Sequence, residues 1–255
     1  MTAVTVAEAL LLELGIQDPK EIDLEAIAFC VGAKVRYSEL ESCEARIIGF
    51  GDQAVITVDP RHGRERARFS IGHELGHWQF HRGRSAICRS EEIGNASNAS
   101  HTERQADGFA ADLLLPRYLF EPAAAKLRKT SFSAVGELAR LFQASRTATA
   151  LRMIDYGPEP AILVCHSAKG RRWFKRGKDV PDRWFPKDEL DPESNAFETL
   201  YGGVDKPQPL LIGADAWFDR REAEEYEVYE QTVRASGGEV LTLITFKQSQ
   251  MLADR

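Results

Sequence analysis

Cysteine is scarce in this chain: Cys30, Cys43, Cys88 and Cys165 stand far apart and make no Cys-x-x-Cys pair. That spacing argues against a zinc ribbon or a disulfide scaffold, and the four are expected to be ordinary thiols. Long apolar runs are absent too, since no stretch of hydrophobic residues reaches membrane-spanning length. The first ten residues hold no Lys or Arg, and Glu8 and Glu13 interrupt the apolar stretch there, which speaks against a secretory leader. The expectation is a cytoplasmic protein with no membrane partner. The triplets beginning at Asn95 and Asn98 match glycosylation acceptors formally, but without secretion they read as a polar loop bordering a cleft. An overall excess of positive charge is also missing: the formal net charge is -6 and the isoelectric point is about 5.6. What remains is an ordinary globular composition. With 255 residues, 43% hydrophobic and 28% charged, the chain can bury a normal core in one large or two small domains.

Against that background one pentapeptide stands out, His73-Glu74-Leu75-Gly76-His77. At about 100° per residue, positions four apart lie one turn above each other, so His73 and His77 can grip one ion from a single helix face. Glu74 sits at the edge of that face, where its carboxylate can take a proton from a metal-activated water attacking a carbonyl. The bland alternative is two surface histidines with a salt-bridging glutamate. Context favours metal: residues 64–71 carry helix formers without Gly or Pro, and Trp78 and Phe80 continue the helix toward a stop at Gly83. His81 extends the stripe, but it is about 12 Å along the axis from His73. It is expected to be structural or to support a ligand rather than to bind.

A catalytic zinc needs a third protein ligand. The pattern that supplies it from the same run is absent, because Phe80 and Gly83 stand where Gly and His would be required. The candidates downstream are His101, Glu103 and Asp107, with Glu91 and Glu92 as weaker choices. Thr102 can cap a helix carrying Glu103, Ala106, Phe109, Ala110, Leu113 and Leu114 before Pro116 limits it. Glu103 falls in its first turn, on the small-residue side formed by Ala106 and Ala110, where two helices can approach closely. That makes Glu103 the more natural ligand, with Asp107 one turn later able to orient a ligand by hydrogen bonding.

Two runs carry a family resemblance: Arg68-Phe69-Ser70-Ile71-Gly72-His73-Glu74-Leu75-Gly76-His77-Trp78-Gln79-Phe80-His81, and Glu103-Arg104-Gln105-Ala106-Asp107-Gly108-Phe109-Ala110-Ala111-Asp112-Leu113-Leu114-Leu115-Pro116. They resemble the ImmA/IrrE family of bacterial zinc metallo-endopeptidases, and the resemblance extends over residues 22–116. It includes the upstream segment 23–28 and a hairpin expected over residues 46–58. The resemblance implies that His73, His77 and Glu103 bind Zn2+ while Glu74 is the catalytic base, and both motifs are intact. It also implies a substrate, since members of the family cut helix-turn-helix repressors at one site and so relieve repression of mobile-element or DNA-damage genes. Residue chemistry alone reaches only metal-dependent amide hydrolysis. Two imidazoles and a carboxylate suit zinc, with Mn2+ as the alternative ion.

The rest of the chain reads as two further segments. Over residues 132–156 the apolar positions Val135, Leu138, Ala139, Phe142, Ala148, Leu151 and Ile154 predict two short helices broken near Gln143-Ala144-Ser145. This resembles a helix-turn-helix, although Gln143 stands where Gly is usual. Residues 126–152 hold six basic residues against Glu137 alone, which leaves DNA binding open beside the plainer reading of a solvated helical pair. After Gly157-Pro158-Glu159-Pro160 the pattern turns to strands at 161–165, 210–213, 226–233 and 240–246, with a Gly237-Gly238 hairpin turn between the last two. Position and strand order there resemble GAF sensor domains. Residues 169–187 hold eight basic and two acidic residues around Trp173, Phe174, Trp184 and Phe185, and residues 188–230 hold thirteen acidic and three basic. A single-stranded nucleic-acid cradle is one reading; two strands, 172–175 and 183–185, neutralised by the acidic segment are the plainer one.

The expected fold is therefore α+β, with a zincin-like metallopeptidase domain over residues 1–125, a helix-turn-helix-like segment over 126–157, and a GAF-like sensor or substrate-recognition domain over 158–255. Three functions compete: a zinc endopeptidase acting on a repressor, a DNA-binding regulator with a structural metal, and a purely structural zinc protein. The last is disfavoured because structural zinc sites are closed by four protein ligands, whereas this pattern keeps an open position beside a base.

Overall fold

The structure is a computed structural model that describes residues 3–80, 86–88 and 101–253. Among them are eight α-helices and two sheets, which makes the fold α+β. The chain divides into two compact units, Met1–Phe120 with Ala139–Ala148, and Glu121–Leu138 with Thr149–Arg255.

The first unit opens with α1 (Val6–Glu13), started by a capping box between Thr5 and Glu8, and α2 (Leu24–Cys30), capped by Asp23. Strands β1 (Ala33–Tyr37), β2 (Ala45–Phe50), β3 (Gln53–Val58) and β4 (Ala86–Cys88) form a sheet in the order β1-β3-β2-β4. The expected hairpin is β2-β3, paired antiparallel from Ala45↔Val58 to Phe50↔Gln53. Strand β1 runs parallel to β3; neither it nor β4 is anticipated by the sequence pattern.

The motif helix is α3 (Arg64–Phe80), and α4 (His101–Leu114) lies against it. The stop predicted at Gly83 lies outside the described residues. Ile71, Leu75, Phe109, Ala110 and Leu113 are buried, and each large apolar side chain so removed from water contributes about 1.5–3 kcal/mol. Trp78 ties α3 to the sheet side of the unit: a methyl group added at Gly49 of β2 would stand 2.7 Å from its ring, and its Nε1 donates to the Val31 carbonyl at 2.8 Å.

Beyond α5 (Arg117–Leu127), the predicted helical pair is α6 (Phe132–Phe142) and α7 (Arg146–Tyr156), broken where expected. Gln143 adopts φ 53°, the left-handed backbone that a glycine would take more cheaply. The turn is closed by Ala144 N–H donating to Ala139 O at 3.1 Å.

The second unit contains β5 (Ala161–Ser167), β6 (Gly170–Arg176), α8 (Asn195–Gly202), β7 (Lys206–Gly213), β8 (Glu227–Arg234) and β9 (Val240–Phe246). The sheet order is β6-β5-β9-β8-β7, with every neighbouring pair antiparallel. The predicted hairpin through Gly237-Gly238 is β8-β9, and both glycines take positive φ. One strand expectation is corrected: residues 183–185 form no strand. Trp184 is drawn instead into the core with Trp217, Phe218, Val228 and Ile244, and its Nε1 donates to Met251 O at 2.6 Å. The basic run is paired within this unit, through Lys175 with Asp155, Arg176 with Asp182, Arg183 with Glu222 and Lys187 with Asp191. Arg171 stacks its guanidinium on Phe174 and Phe185. Two of the four pairs, Arg183 with Glu222 and Lys187 with Asp191, draw on the acidic segment 188–230 that the plainer reading invoked.

Candidate metal centre

Close helix packing builds the site. A methyl group on Gly76 would stand 2.8 Å from Ala106 Cα, and one on Gly72 would stand 3.2 Å from Ala110 Cα. These contacts are backbone to backbone, so the two helices come together only where side chains are missing. The approach carries the first turn of α4 over the second half of α3, and Glu103 reaches both histidines. Its carboxylate oxygens lie 3.1 Å from His73 Nε2 and 3.4 Å from His77 Nε2, and the two Nε2 atoms are 3.0 Å apart.

Those spacings can be tested against metal chemistry. Donors held about 2.1 Å from one ion at tetrahedral angles stand roughly 3.4 Å from each other, close to the separations found here. Among the described residues, His73, His77 and Glu103 are the three that qualify as a metal-holding group. The donor chemistry agrees. Asp107 Oδ1 lies 2.8 Å from His73 Nδ1; an ionised carboxylate only accepts, so Nδ1 carries the proton and the Nε2 lone pair is left facing His77 and Glu103.

Electrostatics push the same way. Burial alone would lower the His73 pKa, but the hydrogen bond to Asp107 and the charges of Glu74, Asp107 and Glu103 outweigh it and raise it above the ordinary histidine value. The cluster thus attracts positive charge at its centre, as a proton or as a cation. Glu74 is fully buried beside His73 and acts electrostatically on both His73 and the buried Cys43 thiol.

The other sequence candidates fall as follows. His101 is exposed at the first position of α4 and stands outside the cluster. His81, Glu91 and Glu92 lie outside the described residues. The sequence reading overlooked Gly72 and Gly76 as the device that lets α4 approach; their placement one helical turn apart, facing Ala106 and Ala110, was the available signal.

Comparison with known proteins bears on this arrangement. Residues 29–153 match the family model described as the IrrE N-terminal-like domain, a peptidase family. That region belongs to the ImmA/IrrE family. The match contains α3, α4 and the whole His73–His77–Glu103 cluster, so the metallopeptidase character of the ImmA/IrrE proteins and a protein substrate are what the family supports here. No curated protein matches the chain. Among solved structures, a Mycobacterium tuberculosis protein described as a transcriptional regulator aligns with a TM-score of 0.58 at 16% identity, covering 94% of this chain and 74% of that one. At such low identity the likeness is one of fold. Among the described residues no helix is long and apolar enough to cross a membrane.

Proposed function

We propose that this chain is a zinc-dependent endopeptidase that makes one site-specific cut in a helix-turn-helix repressor, relieving repression in a DNA-damage response or during mobile-element induction. The observation that carries the chemistry is the convergence of His73 Nε2, His77 Nε2 and the Glu103 carboxylate within 3.4 Å of one another, with Glu74 buried alongside. His73, His77 and Glu103 would hold Zn2+, with Mn2+ as the alternative. The ion would acidify a water and polarise the scissile carbonyl. Glu74 would take a proton from the attacking water and deliver it to the leaving amine, acting first as base and then as acid. Asp107 keeps His73 in the tautomer that presents Nε2. A cytoplasmic location, where a repressor would be met, belongs to the same reading.

In this reading residues 1–125 form the zincin-like peptidase, 126–157 a helix-turn-helix-like segment, and 158–255 a GAF-like module that senses a signal or recognises the substrate. A second reading draws on the name of the solved neighbour, a transcriptional regulator, and on the α6-α7 pair: a DNA-binding regulator with a structural metal. One experiment separates them. The purified chain, or Glu74→Gln, is mixed with candidate helix-turn-helix repressors from the same organism, with and without zinc, and products are read by mass spectrometry. A single metal-dependent cut lost in the variant supports the peptidase. Absence of any cut, together with salt-dependent duplex binding that Glu74→Gln leaves unchanged, would sink it in favour of the regulator.

A further inference from the structure

The first unit holds a cavity of about 710 Å³ on the side of α3 away from the metal cluster. Arg64, Arg68 and Ile71 line it at helical spacing, whereas His73, nine residues after Arg64, points about 180° away. The volume is that of a pocket for a drug-sized ligand. It is independent of the peptidase chemistry and of the reading given to it above.

The charges on its wall are arranged asymmetrically. Both acids are engaged by the chain itself: Asp23 Oδ1 accepts the N–H groups of Glu25 and Ala26, and Glu25 accepts the Tyr37 hydroxyl at 2.8 Å. The three cations are not so engaged. Among the described residues Lys20, Arg64 and Arg68 make no ion pair. Arg68 is fixed by two neutral carbonyls, its Nε donating to Gln143 O and its Nη2 to Ile22 O, each at 3.2 Å. Its guanidinium is therefore held rigidly at the cavity wall; no carboxylate pairs with it directly, and Asp23 on the same wall acts on it only through its charge. Burial, and next the nearby Arg64, hold its pKa below the ordinary arginine value, so an arriving anion would relieve an electrostatic cost already present.

Apart from Gln143, the remaining lining residues are largely apolar. Ile22 and Ile71 border the cavity but are almost wholly buried, so the accessible apolar surface is chiefly the ring of Tyr37, which is 49% exposed. The hydrogen bond to Glu25 anchors that ring, and burial followed by the Glu25 carboxylate pushes the phenol up to about 12, so Tyr37 stays neutral and does not repel an anion. Two arginines with a lysine suit a doubly charged phosphate better than a single carboxylate, because planar guanidinium groups can engage two oxygens at once. We infer that this cavity binds a small phosphate-bearing molecule with a flat apolar body, of the nucleoside monophosphate type. Through Arg68 the ligand would also brace the left-handed Gln143 turn between α6 and α7.

The test is isothermal titration of the full-length chain with adenosine monophosphate, phenyl phosphate, adenosine and inorganic phosphate. Saturable binding of the two organic phosphates at one per chain is expected, with adenosine and inorganic phosphate each weaker by about tenfold or more. Arg64→Glu and Lys20→Glu change exposed residues; each should weaken the organic phosphates by about tenfold while leaving the circular dichroism spectrum and metal content intact. Failure of both organic phosphates to bind at millimolar concentration would overturn the inference. So would affinity that both variants leave unchanged, or inorganic phosphate binding as tightly as the monophosphate.

Discussion

Each unit buries a polar cluster, and the two are built on opposite principles. In the second unit Glu230 is completely buried on β8, yet its oxygens accept from Ala196 N at 2.7 Å, Asn195 N at 3.2 Å and the Thr232 hydroxyl at 3.2 Å. Donors meet acceptors there, and the carboxylate caps the N-terminus of α8. In the first unit His73 Nε2, His77 Nε2 and Glu103 bring lone pairs toward one shared volume. Acceptors facing acceptors are costly unless a cation lies between them, whereas the Glu230 arrangement is complete in itself. Burial of a charged group therefore does not mark a functional site; convergence of like atoms does.

The comparison breaks most sharply at Glu74. Glu74→Gln should reduce peptide cleavage by about 10²- to 10⁴-fold, the range for loss of a general acid–base group, while zinc per chain, measured by plasma mass spectrometry, stays near the wild-type value. His77→Ala should do what Glu74→Gln does not and empty the site of metal. If both variants lost metal equally, Glu74 would have to be counted among the ligands.

Asp107→Asn comes next. An amide can still meet the His73 ring but no longer enforces its tautomer, and zinc affinity from competition with a chromophoric chelator should fall about 10- to 100-fold. Gly76→Ala tests the approach of the helices rather than the donors. The added methyl, 2.8 Å from Ala106 Cα, must push α4 outward at a cost of about 1–3 kcal/mol. Lower thermal stability together with weaker zinc binding is expected; lower stability with unchanged zinc affinity would uncouple the packing from the site.

These contrasts also explain what could be read from the sequence. The helical spacing of His73 and His77 is a local property, so the motif was legible residue by residue. Glu103 was reachable because α4 begins near Thr102 and turns its small residues to one side, which is again local. The hairpins β2-β3 and β8-β9 carry their own alternation and turn glycines. What stayed hidden was pairing over distance. Strand β1 is set by direct parallel pairing with β3, skipping β2, which lies between them in sequence, and nothing within Ala33–Tyr37 announces that partner. Trp184 beside Phe185 has the β-rich look of a strand, but the demand for a large ring in the core of the second unit overrode it. The cationic cavity behind α3 was invisible for the same reason: Lys20, Tyr37, Arg68 and Gln143 meet only in the fold.

The mildest test concerns Glu230, whose effect should appear in stability rather than activity. Burial raises its pKa above the ordinary glutamate value, and the hydrogen bonds from Ala196, Asn195 and Thr232 offset this only in part. From about pH 4.3, where an unfolded glutamate releases its proton, up to that raised value, the folded chain binds more protons than the unfolded one. Stability from this group is then complete below the window and declines as pH rises through it. Melting temperatures recorded in steps from pH 4.5 to 8 should show that decline in the wild type and a flatter profile in Glu230→Gln, which keeps one acceptor for the α8 amides but cannot titrate. Loss of the second acceptor should lower stability by about 1–3 kcal/mol where Glu230 is charged. An identical pH slope in the two proteins would mean that the hydrogen-bond donors around Glu230 fully compensate its burial, and the contrast between a self-sufficient cluster and a cation-seeking one would be sharper still.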